Sequence, residues 1–364
     1  MSKKYFKLYA ECYLIPNNNR AALYNLIEKK IIWMSKENTE ALLATELNNP
    51  VSENNRELYD ILSKEGWGVY SDEKIFTDKL RNTNIYNEKK FHKSTPYINY
   101  AILQLTSECN LNCIDCTKFF CPTCKKQESS EKVLSTNEFK KVIDTLDFYG
   151  TSNVILTGGE VGLYKDLDVI IDYLKEKNIN ILITTNGINK INCLDKELPL
   201  FINIFDYNKL DRIYENYKDF KNVTLNIYDN NVSEANIEKY KRSTWKFTKS
   251  YSFEPVISKE NITGVDVNQF NNRKIFDSCL MGKICILHNG NITPCLHSKD
   301  IIGNIETSDF SEVLKTLVMD YWRKSVDMRN TKCASCEFRY GCTSCIYSDV
   351  KNNCKYNTEV NKWI

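Results

Sequence analysis

Fifteen cysteines punctuate this 364-residue chain, and eleven of them fall into two sets with ligand-like spacing. The first set is Cys109, Cys113 and Cys116, a C-x3-C-x2-C run. Gly158-Gly159-Glu160 follows about one strand–helix–strand unit later. The second set is Cys279, Cys285 and Cys295, then Cys333, Cys336, Cys342, Cys345 and Cys354. Clustered thiolates are soft ligands, suited to iron–sulfur centres or to zinc. Three suit a cluster that leaves one iron open, and eight suit two fully ligated clusters. That count points to radical chemistry backed by further redox centres. Zinc is the competing reading. Cys121 and Cys124 offer a fourth ligand to the first set. Cys333, Cys336, Cys342 and Cys345 would make a zinc ribbon, at the cost of leaving Cys279, Cys285, Cys295 and Cys354 without a role.

The bulk composition narrows the classes. The chain is 42% hydrophobic and 26% charged, ordinary for a folded protein. A net charge of +2 gives no reason to expect a nucleic-acid groove or a membrane surface. No apolar run approaches the ~18 residues of a membrane span. The start, MSKKYFKLYAEC, is broken by Lys7 and Glu11 and does not read as a signal peptide. A cytoplasmic location is therefore expected, where clustered cysteines bind metal rather than pair as disulfides.

The positioning elements follow from hydrophobic period and caps. Phe6, Leu8, Ala10, Cys12 and Leu14 alternate with more polar residues, which predicts one half-buried strand. Asn17-Asn18-Asn19 is a turn, and Ala22–Leu26 and Ile31–Met34 read as short strands. Ser35 caps a helix through Leu43; a second helix carries Leu58, Ile61 and Leu62 on one face and stops at Gly66. A short extended piece spans Trp67–Tyr70. Residues 1–75 thus make a small winged-helix-like α+β unit, and 76–96 a polar linker. From Tyr97 strands alternate with helices. Strands are expected at 98–105, 154–156, 179–183, 201–205, 223–228 and 247–257. Helices are expected at 136–149, 165–177, 190–198, 209–220 and 233–244, the first opened by a Ser135/Glu138 capping box. Six such units predict an α/β fold, a partial (β/α)6 TIM-like barrel over 97–260 with its working loops at the strand C-termini. Both Cys109–Cys116 and Thr157–Glu160 fall at such ends. Residues 261–364 read as a loop-rich, cysteine-organised tail.

Strand, cysteine triplet, helix, strand and Gly-Gly-Glu, in that order, resemble the radical S-adenosylmethionine (SAM) superfamily. The resemblance implies that Cys109, Cys113 and Cys116 hold a [4Fe–4S] cluster whose open iron is chelated by SAM. It implies that Gly158, Gly159 and Glu160 receive the SAM amino group, and that Thr185 and Asn186, beside Thr184 and Gly187, contact ribose or methionine. One position departs from the family: Asp115 stands where an aromatic residue usually packs on the adenine, so Phe119 or Phe120 is expected to take that part.

The eight later cysteines resemble a SPASM domain, which carries two auxiliary [4Fe–4S] clusters. Mapped in order, Cys279, Cys285, Cys295 and Cys345 would hold one, and Cys333, Cys336, Cys342 and Cys354 the other. The two-residue gap before Cys345 is shorter than is usual in that domain. Residues 1–75 resemble a RiPP recognition element, the module that holds the leader of a ribosomally made, post-translationally modified peptide. The edge at Lys29–Met34 and the helix Leu58–Leu62 would then meet the leader. The run Cys-Ala-Ser-Cys-Glu-Phe-Arg-Tyr-Gly-Cys-Thr-Ser-Cys at 333–345 is similar to maturases of grasp-with-spasm systems, which implies an ATP-grasp ligase in the same pathway. The implied activity is reductive cleavage of SAM to a 5′-deoxyadenosyl radical, fed by flavodoxin or ferredoxin. That radical would crosslink, epimerise or oxidise a precursor peptide. The alternatives are a protein oxidase like the anaerobic sulfatase maturases, or a non-catalytic iron–sulfur or zinc scaffold. Cys12, Cys121, Cys124 and Cys193 fall outside these assignments, with Cys12 expected in the core.

Overall fold

The N-terminal alternation makes two strands, not one. In the computed structural model β1 spans Tyr5–Leu8 and β2 spans Cys12–Pro16. The structure describes all residues except 1–3, 19, 82–96, 114–115, 117–132, 229–236, 243, 250–256, 329–331, 344–353, 361 and 364. A turn closed by Cys12 N–H on the Tyr9 carbonyl at 3.0 Å breaks the strand, because Tyr9 N–H is taken by the Trp67 carbonyl. β1 pairs antiparallel with β5 (Gly68–Ser71). β2 belongs to another sheet, with β3 (Ala21–Asn25) and β4 (Lys30–Met34), in the order β2-β3-β4. Asn17 turns the first hairpin: its N–H bonds the Arg20 carbonyl, and its Oδ1 accepts the Arg20 N–H.

Helix α1 (Lys36–Glu46) is capped by Ser35, whose Oγ accepts the Asn38 N–H at 3.1 Å. Helix α2 (Arg56–Lys64) buries Tyr59 and Leu62. Ile61, expected on that buried face, is 48% exposed, because the face is centred one residue earlier in each turn. Gly66 ends the helix with φ +77°.

The central strand β3 is buried on both faces, which explains its apolar run from Ala21 to Tyr24. Cys12, Leu23 and Met34 face Phe6, Leu42, Tyr59 and Trp67. Burial pushes the Cys12 thiol up to about 12. Tyr13, Ile15, Ala22 and Tyr24, on the alternate face, pack on Val265, Phe270, Phe338, Tyr340 and Tyr356 from the C-terminal half of the chain. A helix absent from the sequence reading, Val267–Ile275, supplies Phe270 and opens with an Asp266/Gln269 capping box. Each fully buried aromatic of this kind is worth about 1.5–3 kcal/mol. Met1–Tyr86, Val256–Cys279 and Arg323–Ile364 therefore form one compact unit. The other unit is Asn87–Pro255 with Leu280–Trp322. Compact units and the segments expected from sequence do not share boundaries.

The second unit is built on parallel strands β6 (Tyr100–Gln104), β7 (Asn153–Thr157), β8 (Asn180–Thr185), β9 (Leu200–Ile204), β10 (Val223–Ile227) and β11 (Trp245–Lys249). They lie side by side in chain order and in parallel. Helices α3 (Thr136–Phe148), α4 (Leu167–Glu176) and α5 (Leu210–Tyr217) are crossovers, and α3 opens with the Ser135/Glu138 capping box. The α/β class with a central parallel sheet is thus as read. The expected helix at 190–198 is absent. Asn192–Leu198 makes turns instead, with Asp195 Oδ1 taking the Glu197 N–H and Pro199 following. Of the helix expected at 233–244, residues 233–236 and 243 lie outside the described residues, while 237–238 are helical and 239–240 form a turn. The sheet also runs beyond six strands. β12 (Lys283–Ile286) adds parallel to β6, and β13 (Asn291–Thr293) and β14 (Gly303–Asn304) follow antiparallel. Among the described residues no helix is long and apolar enough to cross a membrane.

Candidate active site

The loops after β6 and β7 meet through backbone hydrogen bonds. Gly159 N–H donates to the Thr106 carbonyl at 2.9 Å, and Glu160 N–H to the Glu108 carbonyl at 2.7 Å. A Cβ on Gly159 would stand 2.3 Å from the Glu108 carbonyl oxygen and 2.6 Å from that of Ser107. Only glycine allows the second strand's loop to lie this close to the cysteine loop. Cys109, Cys113 and Cys116 line one small cavity of about 10 Å³ with Gly159, Asn186 and Phe205. Leu111 N–H points to Cys109 Sγ at 3.4 Å, and Asn186 Nδ2 stands 3.9 Å from the same sulfur.

Glu160 is 3% exposed and is bonded by three donors. Its Oε1 accepts the Thr185 hydroxyl at 2.6 Å and the Gly162 N–H at 3.1 Å; its Oε2 accepts the Asn186 N–H at 2.8 Å. Burial raises its pKa, and these hydrogen bonds pull the other way. The carboxylate thus ties the β7 loop to the β8 loop, joining three of the residues singled out from sequence. Asn186 continues the chain through Nδ2 to Asn110 Oδ1 at 2.7 Å, back onto the cysteine loop.

Beside the thiols a larger cavity of about 150 Å³ is lined by Cys113, Asn186, Asn203, Phe205, Asp206 and Lys209, among others. Asn203, Phe205 and Lys209 were missed from sequence; their signal was their place at the C-terminal end of β9. Phe205 stacks on Tyr228 with centroids 5.2 Å apart and planes 11° off parallel. Asn203 is 1% exposed and its Nδ2 has no hydrogen-bond partner among the described residues. Its Oδ1 accepts Asn226 Nδ2 at 3.3 Å, and Asn226 Oδ1 accepts the Thr248 hydroxyl at 2.9 Å. The row ends in an orphaned N–H donor at a cavity, which suits a ligand bearing an acceptor. Thr184 Oγ1 is a second buried atom without a partner among the described residues. Asp115, Phe119, Phe120, Cys121 and Cys124 lie outside the described residues.

The later cysteines divide. Cys333, Cys336, Cys342 and Cys354 line one cavity of about 40 Å³ in the first unit, with Arg273, Lys332 and Arg339. Burial pushes the Cys336 thiol up, a cost that ligation of the thiolate would remove. Isolated bridges Ile257–Cys354 and Ile262–Cys342 fix two of the four backbones. Cys279 belongs to the same unit, Cys285 and Cys295 to the other, and Cys345 lies outside the described residues. Cys285 packs among Ile102, Ile155, Leu287 and Leu296. Among the described residues no group of three or more His, Cys, Asp or Glu side chains is gathered for a single metal ion, and no two cysteines form a disulfide. The thiols ring cavities rather than a point, and soft donors around a cavity with a glycine cradle beside it fit an iron–sulfur cluster.

The parallel strand–helix series with a three-thiol loop on its C-terminal rim defines a class of cluster-bearing α/β enzymes. Residues 103–258 match the Radical SAM superfamily, and 279–337 match SPASM, an iron–sulfur cluster-binding domain. The chain carries a radical SAM domain and a SPASM domain; it is an enzyme whose cofactors are a [4Fe–4S] cluster and SAM. It is 34% identical over 87 residues to the Fe-coproporphyrin III synthase of Methanosarcina barkeri, and 36% identical over 87 residues to a probable GTP 3′,8-cyclase of Methanococcus maripaludis. Those matches cover 24% of this chain and only 21% and 28% of the curated relatives. Among solved structures it is similar to SuiB of Streptococcus suis bound to S-adenosylmethionine, at 15% identity and TM-score 0.48, covering 94% of this chain and 95% of that one. SuiB bound to the precursor peptide SuiA matches with TM-score 0.49 at 14% identity, covering 94% and 95%.

Proposed function

We propose that this enzyme is a peptide maturase that generates a 5′-deoxyadenosyl radical from SAM and uses it to crosslink, epimerise or oxidise a ribosomally made precursor. The observation that carries the peptide reading is the free edge of β4. Among the described residues that strand pairs only with β3, and a groove of about 390 Å³ runs along it, lined by Ile31, Ile32, Trp33, Lys259, Gly264 and Trp363, with Ile262 and Phe338. Trp33 is 43% exposed there, with the Lys259 ammonium 5.5 Å from its ring centre. An edge strand with apolar pockets suits an extended peptide that adds as a further strand. The edge is not open throughout, since Gly264 lies against the Lys29 carbonyl.

Within this reading Cys109, Cys113 and Cys116 hold the cluster that donates an electron to SAM. Gly158 and Gly159 bring backbone to the methionine end, and Glu160 holds the Thr185–Asn186 loop in place around it. Phe205 offers the adenine the aromatic face that Asp115 cannot, and Asn203 donates to a ligand acceptor. Cys333, Cys336, Cys342 and Cys354 hold an auxiliary [4Fe–4S] cluster. Cys279, Cys285, Cys295 and Cys345 hold a second by resemblance alone. Residues 1–75 present the peptide, 97–260 form the catalytic core and 261–364 the SPASM segment. A cytoplasmic setting, a flavodoxin or ferredoxin donor and an ATP-grasp partner complete the proposal.

The test is anaerobic reconstitution with iron and sulfide, then SAM and dithionite. Formation of 5′-deoxyadenosine is expected, and its absence from a chain with full iron content refutes the catalytic reading. Incubation with the peptide encoded beside this gene is expected to change it. Loss of two hydrogens marks a crosslink or oxidation, and deuterium uptake marks epimerisation. An untouched peptide refutes the maturase reading.

A further inference from the structure

The loop that carries Cys333, Cys336 and Cys342 also carries one buried carboxylate. Glu337 directly follows Cys336 and is 1% exposed. Both its oxygens are occupied. Oε2 accepts Asn17 Nδ2 at 2.6 Å, and Oε1 accepts the Tyr356 hydroxyl in a short hydrogen bond. Its backbone carbonyl accepts the Tyr24 hydroxyl at 2.9 Å. Two of these three donors come from the β2–β3 hairpin, more than 300 residues earlier in the chain. Asn17 is itself fixed, because its Oδ1 holds the Arg20 N–H of the hairpin turn. A buried carboxylate is costly, and a chain that needed only to hold a loop could use an amide or a hydroxyl.

The charges around the cavity show what the carboxylate can do. Arg273, Lys332 and Arg339 line the cavity with the four cysteines. Arg339 is balanced by Asp327, with Nε 2.8 Å from Oδ1. Lys332 donates to the carbonyls of Cys354 and Tyr356, and Arg273 to that of Tyr340. These cations favour electron uptake by an anionic centre, and a fixed negative charge beside Cys336 opposes it.

We propose that Glu337 is the positioning residue of the four-cysteine centre, clamped by Asn17 and Tyr356 so that its charge holds the centre's reduction potential down. Adding one electron to a tetrathiolate cluster adds one negative charge. A neighbouring carboxylate in a poorly screened interior therefore favours the oxidised form. The N-terminal hairpin has, on this account, a second task besides presenting an edge: it keeps that charge in place. The inference rests on the reading that these four cysteines hold an iron–sulfur cluster.

The experiment uses the full chain with Cys109→Ala, Cys113→Ala and Cys116→Ala, so that only C-terminal centres report. After anaerobic reconstitution, iron and sulfide are counted and the midpoint is read by spin-resonance-monitored dithionite titration. Glu337→Gln is expected to keep its iron and raise the midpoint of one centre. Glu337→Asp, which keeps the charge, is expected to stay nearer the parent. An unchanged midpoint in Glu337→Gln, or an equal shift in Glu337→Asp, overturns the proposal. Tyr356→Phe guards against a Gln variant that does not fold: it strips one donor from the carboxylate and should lower the midpoint, and no shift there is equally fatal. Iron content separates the two claims. No C-terminal iron in the parent removes the cluster reading, and this inference with it.

Discussion

Glu160→Ala is the sharpest probe of how the site is held. The substitution leaves the Thr185 hydroxyl, the Asn186 N–H and the Gly162 N–H without their acceptor. Thr185 and Asn186 are buried, so water cannot simply replace the carboxylate. Each hydrogen bond to a charged group contributes about 1.5–3 kcal/mol, and each stranded donor costs about 1–3 kcal/mol. Removing the carboxylate also recovers the desolvation that raises its pKa, which offsets part of the loss. The three bonds share one group and do not add, so a net destabilisation of about 2–4 kcal/mol is expected. Urea unfolding of the cluster-free protein, followed by circular dichroism, measures it without any contribution from iron. Glu160→Gln should lose less, about 1–3 kcal/mol, because one amide oxygen still accepts while the amide N–H2 faces a donor. A loss below about 1 kcal/mol in Glu160→Ala would mean that the β7 and β8 loops are held by something else, and the assignment of Glu160 as their tie would fall.

Gly159→Ala drives a Cβ to 2.3 Å from the Glu108 carbonyl oxygen and must displace the cysteine loop; iron content at the first cluster should drop well below the parent's, as read by colorimetric assay. Asn203→Leu removes the orphaned donor, and SAM affinity should fall about tenfold, the equivalent of ~1.4 kcal/mol. A stability loss with unchanged SAM affinity would make Asn203 structural. His288 is buried, its Nδ1 3.1 Å from Gln104 Oε1, and burial lowers its pKa. A depressed base contributes stability above its unfolded pKa of about 6.5, which is lost as pH falls through the folded value. Urea midpoints should therefore decline below about pH 6.5 in the parent and decline less in His288→Gln.

Much of the fold was legible because its signals are local. The Ser135/Glu138 capping box, the Ser35 cap and the six apolar strand cores need only neighbours to be read. The errors arose where a distant partner decides. The alternation from Phe6 to Leu14 is genuine, yet a contact with Trp67 splits it. Ala21–Asn25 looked like an ordinary strand, and nothing local says that both its faces are covered. The site divides the same way. The SPASM resemblance implied the grouping of Cys333, Cys336, Cys342 and Cys354, which line one cavity, but it could not show Cys285 among isoleucines and leucines. Glu160 was read from its motif as the partner of an ammonium, and nothing local showed that its carboxylate also accepts from Thr185 and Asn186, 25 and 26 residues along the chain. Asn203 and Phe205 belong to no motif and emerge only from the register of β9 against β10.

Ile262, Phe338 and Trp363 line both the β4 groove and the four-cysteine cavity. One layer of side chains therefore separates them, and two of the three are aromatic. Trp363 makes that partition an optical reporter. Iron–sulfur chromophores absorb where indoles emit, so loading the cavity should darken Trp363, and an occupant of the groove should shift its colour from the opposite side. In a chain whose other four tryptophans are replaced by phenylalanine, this indole would register the metal and the peptide in one fluorescence spectrum, allowing the order in which they arrive to be timed without an added label.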